Sequence, residues 1–256
     1  MLDITINLNH IALFLLLFCR VGGTMIAAPL IGSTRIPARL KAGLALAISL
    51  VLAPVAGDSA PPPGAIALAL AAGSEILLGL AMGFGASLIF AAVQMAGEMA
   101  DMQSAFGFAG VVSPQTGERN SVIGQLQVSV AWLIFLAANG HHVVLRGIGG
   151  SLAAVPLGSP PGFSAPVLTH ALAGLLATSI SIAAPIIGAV ILTDFGLGML
   201  TRAAPQMNLL AIGFPIKLAV GLGAALLSLP LLISAQHDLI STLDAIVRSV
   251  IAAAAG

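Results

Sequence analysis

Six apolar runs, each close to the ~20 residues that cross a bilayer as helix, constrain this chain more than any other feature. They cover about 10–31, 38–56, 64–92, 122–145, 168–192 and 209–234. The stretches between them read as separators: 32–41 is basic, 54–63 is proline-rich around Asp58, and 147–166 is rich in Gly, Ser and Pro. No run alternates polar and apolar residues with period two, which excludes the spans of a membrane β-barrel. The expected fold is an all-α membrane protein with about six long helices. Charge supports this. Only 7% of the 256 residues are charged, 59% are hydrophobic, and the mean hydropathy is +1.11. An ordinary soluble domain is roughly a quarter charged, so this chain has too little charge to cover a water-facing surface. Its nine basic and nine acidic residues cancel, leaving no basic footprint for nucleic acid. A soluble enzyme, a nucleic-acid binder and a disordered adaptor are excluded at this level.

Asp3 precedes the first run and no Lys or Arg does, which is the wrong flank for a cleaved secretory signal. The chain is therefore expected to be mature from Met1. Placing both termini outside puts Arg35, Arg39, Lys41, Arg119 and Arg202 in inner loops and leaves Arg146 and Arg248 outside, the orientation that the positive-inside rule favours. The single cysteine, Cys19, rules out a disulfide framework and a cysteine-based metal site, and reads as a packed, inert thiol.

The runs are built to pack on protein. Gly79, Gly83, Ser87 and Ala91 recur every four residues, a stripe that lets another backbone approach closely, and Gly221 with Ala225 repeats the spacing. Pro185, Pro215 and Pro230 lie inside apolar runs, where kinks are expected. Beyond Ser234, Leu239, Ile240, Leu243, Ile246, Val247, Val250 and Ile251 share one helical face. Asp238, Ser241, Asp244 and Arg248 share the other. This C-terminal amphipathic helix lies at the interface, docks on a partner, or covers its own bundle.

In so apolar a chain the ionisable residues carry the information. Arg20, Glu75 and Lys217 fall inside runs, where each charge costs ~2.5–3.5 kcal/mol at a helix centre, so they are expected to face protein or a wet cavity. Arg20 with Glu75 is the natural pair, and a register-fixing role for it ranks ahead of transport chemistry. Gln94, Glu98 and Asp101 follow i, i+4, i+7 spacing on one face, and Glu98 and Asp101 are grouped with the buried polar residues. Met95, Met99 and Met102 run beside them. That stripe suits the lining of a conduit that closes around varied cargo, but residues alone favour a helix end with Met as core filler. A glycine-punctuated loop from Ser104 to Pro114 then carries Phe106 and Phe108, which belong inside a lumen or a neighbouring subunit. Catalytic constellations are missing: His141 and His142 are adjacent and diverge on a helix, and no HExxH, GxSxG, P-loop or GxGxxG occurs. The Gly-Ser pairs match an intramembrane protease only trivially. The chain is not expected to be an enzyme.

The stretch 198–223, GMLTRAAPQMNLLAIGFPIKLAVGLG, resembles the signature of the FliR family of flagellar export proteins, which groups with the T component of virulence type III export gates. Arg202, Pro205, Asn208, Gly213 and Pro215 carry that likeness. Further pieces follow in family order: Arg20 with Ala27-Ala28-Pro29, Ile36-Pro37, Ala96-Gly97-Glu98 leading to Gln103, Pro114, Asn139-Gly140-His141, and Pro156-Leu157-Gly158. The chain departs at Ser104-Ala105, where Met-Gly is frequent, and at Ser113, where Asp often precedes the proline.

The resemblance implies a structural subunit of a protein-export gate in the bacterial inner membrane, at the flagellar basal body. One copy would assemble with several copies of FliP and FliQ into a closed helical cone, with FlhB attached and FlhA around it. It also implies a FliP-like unit over 1–166, including a plug loop at about 104–120. A FliQ-like helical hairpin and the amphipathic helix would follow over 167–256. Phe106, Gly107, Phe108, Gly110 and Pro114 would fill the lumen until an unfolded flagellar subunit displaces them, with Met95, Met99 and Met102 as weaker lining candidates. Membrane lipids are further partners; no cofactor, metal, nucleic acid or small-molecule substrate is implied, and energy would come from the proton-motive force and a separate ATPase. If the gate stands raised above the bilayer, the apolar runs need not be simple spans. Other classes stay open. A virulence-system subunit is a variant of this reading, although the NGHH and APQMN stretches look more flagellar. A secondary transporter would show saturable solute uptake alone, and the chain lacks paired inverted repeats to support it. A pure scaffold would tolerate plug mutations.

Overall fold

The structure, a computed structural model, describes residues 8–29, 31–33, 36–57, 60–104, 121–159, 165–206, 208–234, 248 and 251–252. Among these, all long elements are helical: α1 (Leu8–Ala27), α2 (Ala38–Leu52), α3 (Ala65–Gln103), α4 (Val122–Ala137), α5 (Gly140–Ala154), α6 (Ala165–Ala203) and α7 (Leu209–Ser234). A 3-10 turn, Ala53–Val55, follows α2. Five of the helices are long and apolar enough to cross a membrane, or up to six spans if the bent pair α4 and α5 counts as one. The expected run 122–145 is therefore not one helix but two.

Local chemistry explains the boundaries. Pro54, which lacks an N–H, falls in the 3-10 turn that ends α2. The prolines at 61–63 precede α3, which then runs 39 residues with no internal proline. Ser121 caps α4, its hydroxyl accepting from the Gly124 N–H at 2.8 Å. Asn139 separates α4 from α5 with φ of 57°, a left-handed conformation that Asn tolerates better than most side chains. Asn208 starts α7, its carbonyl taking the Ala211 and Ile212 N–H groups. α5 also extends through 147–154, which reads as a separator in the sequence. Its Ile148, Ser151 and Leu152 are buried, and that packing overrides the helix-weakening glycines.

α3 and α6 each hold 39 residues. At 1.5 Å per residue such a helix is about 58 Å long, nearly twice the ~30 Å hydrocarbon core. Neither fits the bilayer as an upright span of its whole length. α6 stays helical across Pro185, and α7 across Pro215 and Pro230.

The chain divides into two compact units, 1–88 with 139–171 and 239–256, and 89–138 with 172–238. In the first, α1 and α2 lie side by side, and Lys41 Nζ closes their connection by donating to the Gly32 carbonyl at 3.0 Å. α1 also crosses the first half of α3 at Gly23, Gly79 and Gly83, where a Cβ on any of the three would collide with the facing backbone. In the second, the end of α3 meets α4 at Gly97 and Gly124, again with no room for a Cβ. Phe90 packs on Trp132 and Phe135, with ring centroids 5.1 and 5.4 Å apart. Ala100, Ile123, Ile186 and Ala225 form a shared buried cluster.

α6 and α7 make an antiparallel hairpin. Asp194 pairs with Lys217 at 2.5 Å, Val190 faces Gly221, and Ile186 shares its cluster with Ala225. These pairs step four residues at a time in opposite directions, so the register is centred on Pro205 and Gln206.

Candidate functional site

The most organised polar cluster lies in the first unit and is built on Arg20. Its position in the middle of α1 turns the guanidinium inward, fully buried, against Glu75 of α3, which is 1% exposed. The two residues expected to pair therefore do so. Arg20 Nε donates to Glu75 Oε2 at 2.5 Å and Nη2 to Oε1 at 3.0 Å, the planar fork-on-carboxylate geometry that strengthens such pairs. Nη1 donates to the Ser151 carbonyl and hydroxyl at 3.0 and 3.2 Å, and Nη2 donates also to the Val155 carbonyl at 2.9 Å. A guanidinium has five N–H donors, and here there are five bonds. Glu75 Oε1 also accepts the Gly158 N–H at 2.9 Å.

That last contact depends on backbone shape. Gly158 has φ of 85°, where a side chain would be strained, and a Cβ there would press on Pro62. The cluster thus joins α1, α3, the end of α5 and the loop behind it through one ion pair. With every Arg20 donor engaged, no N–H remains to bind a passing ion or solute. The arrangement holds helices together.

Around it, Gly79 and Gly83 let α3 approach α1 where Arg20 and Thr24 present their carbonyls. Ser87, the third member of that stripe, is half-buried and donates to the Phe84 carbonyl of its own helix at 2.8 Å. A separate cavity of about 380 Å³ opens between the start of α1 and the 3-10 turn, lined by His10, Leu13, Phe14, Leu17, Ala53 and Pro54 among others. Among the described residues no three His, Cys, Asp or Glu side chains gather to hold a metal.

In the second unit the expected polar face of α3 divides. Asp101 is buried, and both its oxygens lie 3.3 Å from the Ile123 N–H at the start of α4. Glu98, expected to be buried, is exposed, and it accepts from Gln94 Nε2 at 2.9 Å on its own helix. Lys217, also expected to be buried, is only part-covered, at 31% exposed, beside Asp194 at 42%. The methionines do not share one surface. Met95 and Met99 are half-buried, with Met95 Sδ 3.5 Å from the Ser179 hydroxyl, whereas Met102 is 72% exposed. Gly221 packs against Ser104.

The signature residues fall at helix boundaries. Asn139 and the buried Gly140 form the α4–α5 break, followed by half-buried His141, whose Nδ1 has no partner among the described residues. Arg202, Pro205 and Asn208 are exposed around the α6–α7 turn, and Gly213 and Pro215 lie in the first turns of α7. The plug residues Phe106, Gly107, Phe108, Gly110 and Pro114 lie outside the described residues, as does nearly all of the C-terminal amphipathic segment. Among the polar residues that escaped the sequence reading, Ser151 holds Arg20 and Gln127 stands apart. Gln127 of α4 is fully buried with neither amide atom partnered among the described residues. Its presence in an apolar run was the available signal.

Comparison with known proteins extends this picture. A family described as bacterial export proteins, family 1, matches residues 11–243. The flagellar biosynthetic protein FliR of Escherichia coli (strain K12) is 33% identical over 216 residues, spanning 83% of this chain and 82% of that protein. Its namesake in Bacillus subtilis (strain 168) is 32% identical over 216 residues, 81% and 82% of the two chains. The Yop proteins translocation protein T of Yersinia pestis is 29% identical over 186 residues, 71% of each.

Proposed function

This chain belongs to the bacterial export proteins, family 1, and from that premise we propose that it is a structural subunit of the flagellar type III protein-export gate. It is a multi-pass membrane protein of a bacterial export apparatus, and its family is non-enzymatic. The observation that carries the flagellar reading is the likeness to flagellar biosynthetic proteins across more than four fifths of this chain and of each relative. The saturated Arg20–Glu75 cluster supports a structural role, because its donors all end on protein.

In this reading the chain assembles with FliP, FliQ, FlhB and FlhA, and unfolded flagellar subunits pass through the assembly. The α6–α7 hairpin supports the view of residues 167–256 as a FliQ-like part after a FliP-like part over 1–166. The segment 104–120, with Phe106, Gly107, Phe108, Gly110 and Pro114, acts as the plug, and exposed Met102 is the best placed of the methionines to meet cargo. The likeness to the Yersinia translocation protein favours a second reading, the equivalent subunit of a virulence secretion system. Affinity purification of the tagged chain from native membranes tests the assembly. Flagellar FliP and FliQ homologues should co-purify; recovery of virulence-system counterparts supports the second reading, and recovery of the chain alone contradicts both. Deleting residues 107–110 should increase ion leakage through an assembled gate, and unchanged leakage contradicts the plug assignment.

A further inference from the structure

α5 differs from the other long helices in what it leaves uncovered. Every other helix from α1 to α7 exposes large apolar side chains, such as Ile11 and Leu15 on α1, Leu46 and Leu50 on α2, and Leu133 and Leu136 on α4. Among the described residues α5 exposes none. Its apolar face is turned inward, with Val144, Ile148 and Leu152 buried. The exposed side carries His142, Arg146, Gly150 and Ala153, whose spacing keeps them in one stripe along the helix. The ion pairs among the described residues involve groups other than Arg146.

That stripe lies at apolar depth. α5 is tied to the middle of α1, where the Ser151 carbonyl takes Arg20 Nη1 at 3.0 Å. Arg20 stands well inside Leu8–Ala27, so α1 extends roughly 18 and 10 Å to either side of that level. Arg146 comes little more than one turn before Ser151, and no tilt of α5 carries its backbone further than about 8 Å from there. A charge at such a depth faces protein or a water-filled cavity. A helix packed on this stripe would gain little, because there is no large apolar side chain on it to bury.

We propose that this face of α5 borders a water-filled path through the gate and meets the unfolded polypeptide in transit, an inference that rests on the export-gate reading. Arg146 and His142 donate hydrogen bonds to the carbonyls that every passing chain carries, and to its carboxylates. Gly150 and Ala153 leave clearance beside them. With no large apolar group on the stripe, an unfolded chain has nothing on which to lodge.

The test uses the purified gate complex in lipid nanodiscs, with Cys19→Ala as background and Arg146→Cys, Gly150→Cys, Leu50→Cys or Val144→Cys added singly. The probe is a charged maleimide that does not enter lipid. Gly150 has nothing within 4 Å of its Cβ position, so Gly150→Cys keeps the packing even if loss of Arg146 prevents assembly. The Arg146→Cys and Gly150→Cys variants should label about tenfold faster than Leu50→Cys, at an exposed apolar site, and Val144→Cys, at a buried one, because the reacting thiolate needs water. A flagellar substrate fused to a stably folded domain, stalled in the complex, should then slow labelling of both variants several-fold. Labelling of Gly150→Cys as slow as that of Leu50→Cys means that lipid or a partner subunit covers the face, and overturns the proposal. Fast labelling that a retained substrate leaves unchanged puts the face in water outside the path; it overturns the proposal and leaves the export reading standing. A complex that retains no substrate defeats the export reading, and the proposal falls with it.

Discussion

Glu75 accepts two N–H bonds from Arg20 across 55 residues of chain, and the remaining bonds of that guanidinium also end on protein. The pair closes a joint between α1, α3 and the end of α5. Removing one partner leaves a buried charge without compensation, a loss of about 3–5 kcal/mol. Arg20→Ala and Glu75→Ala should each lower the melting temperature of the detergent-purified protein sharply. Arg20→Lys should fail too, because an ammonium cannot reproduce the planar fork. The double variant Arg20→Met with Glu75→Leu should recover most of the loss; if the double change costs as much as the two singles together, the pair is not the joint described.

Gly79 separates backbone from backbone, so its replacement is a test of close approach. Gly79→Val should prevent α1 from seating on α3 and reduce the amount of folded protein in membranes. Gly73, with nothing within 4 Å of its Cβ position, is the control. Gly73→Ala should be neutral or stabilising, by up to ~1 kcal/mol, the difference in helix propensity. Membrane levels and melting curves for the two variants should diverge.

The hairpin register predicts a cross-link. With Cys19 replaced by Ala, cysteines at Asp194 and Lys217 should join under mild oxidation, because these side chains pair across α6 and α7. Cysteines at Asp194 and Phe214 should not, since the shift of three residues rotates the second thiol off the facing side. Equal cross-linking of both pairs would contradict the register.

Asn139 offers a backbone test. A residue other than Gly, Asn or Asp in the left-handed region costs about 1–2 kcal/mol. Asn139→Gly should therefore be tolerated, and Asn139→Val should be destabilising in thermal unfolding by roughly that amount. Equal stability of the two variants would mean that α4 and α5 do not need this break.

Charge scarcity makes the Arg20–Glu75 joint legible in the sequence, since two opposite charges inside apolar runs have few other partners. Its remaining partners are hidden there. Ser151 is 131 residues from Arg20, and the Ser151 and Val155 carbonyls and the Gly158 amide belong to backbone that no side-chain pattern marks. The helices themselves are legible as apolar runs, but their ends are not. Gln94, Glu98 and Asp101 look like the exit of a helix, and α3 does end at Gln103, although the apolar run that marks it stops near 92. The glycines of 147–154 look like a linker, yet that segment is helical because Ile148, Ser151 and Leu152 pack inward. Asn139 breaks an unbroken apolar run because φ is a property of one residue, which averaging over a run conceals. Lys217 shows the reverse error, for a charge in an apolar run marks a face turned from lipid without showing that this chain itself covers it, and Glu98 shows that a shared helical spacing with buried Asp101 does not carry burial with it.

The central claim is that this chain is a structural subunit of a flagellar protein-export gate. A clean deletion with complementation tests it most directly, scoring swimming and the proteins released to the medium. The account predicts that swimming and the hook and filament subunits are lost together, that other secretion continues, and that the intact gene restores both. Normal swimming and an unchanged set of flagellar proteins in the medium would contradict it.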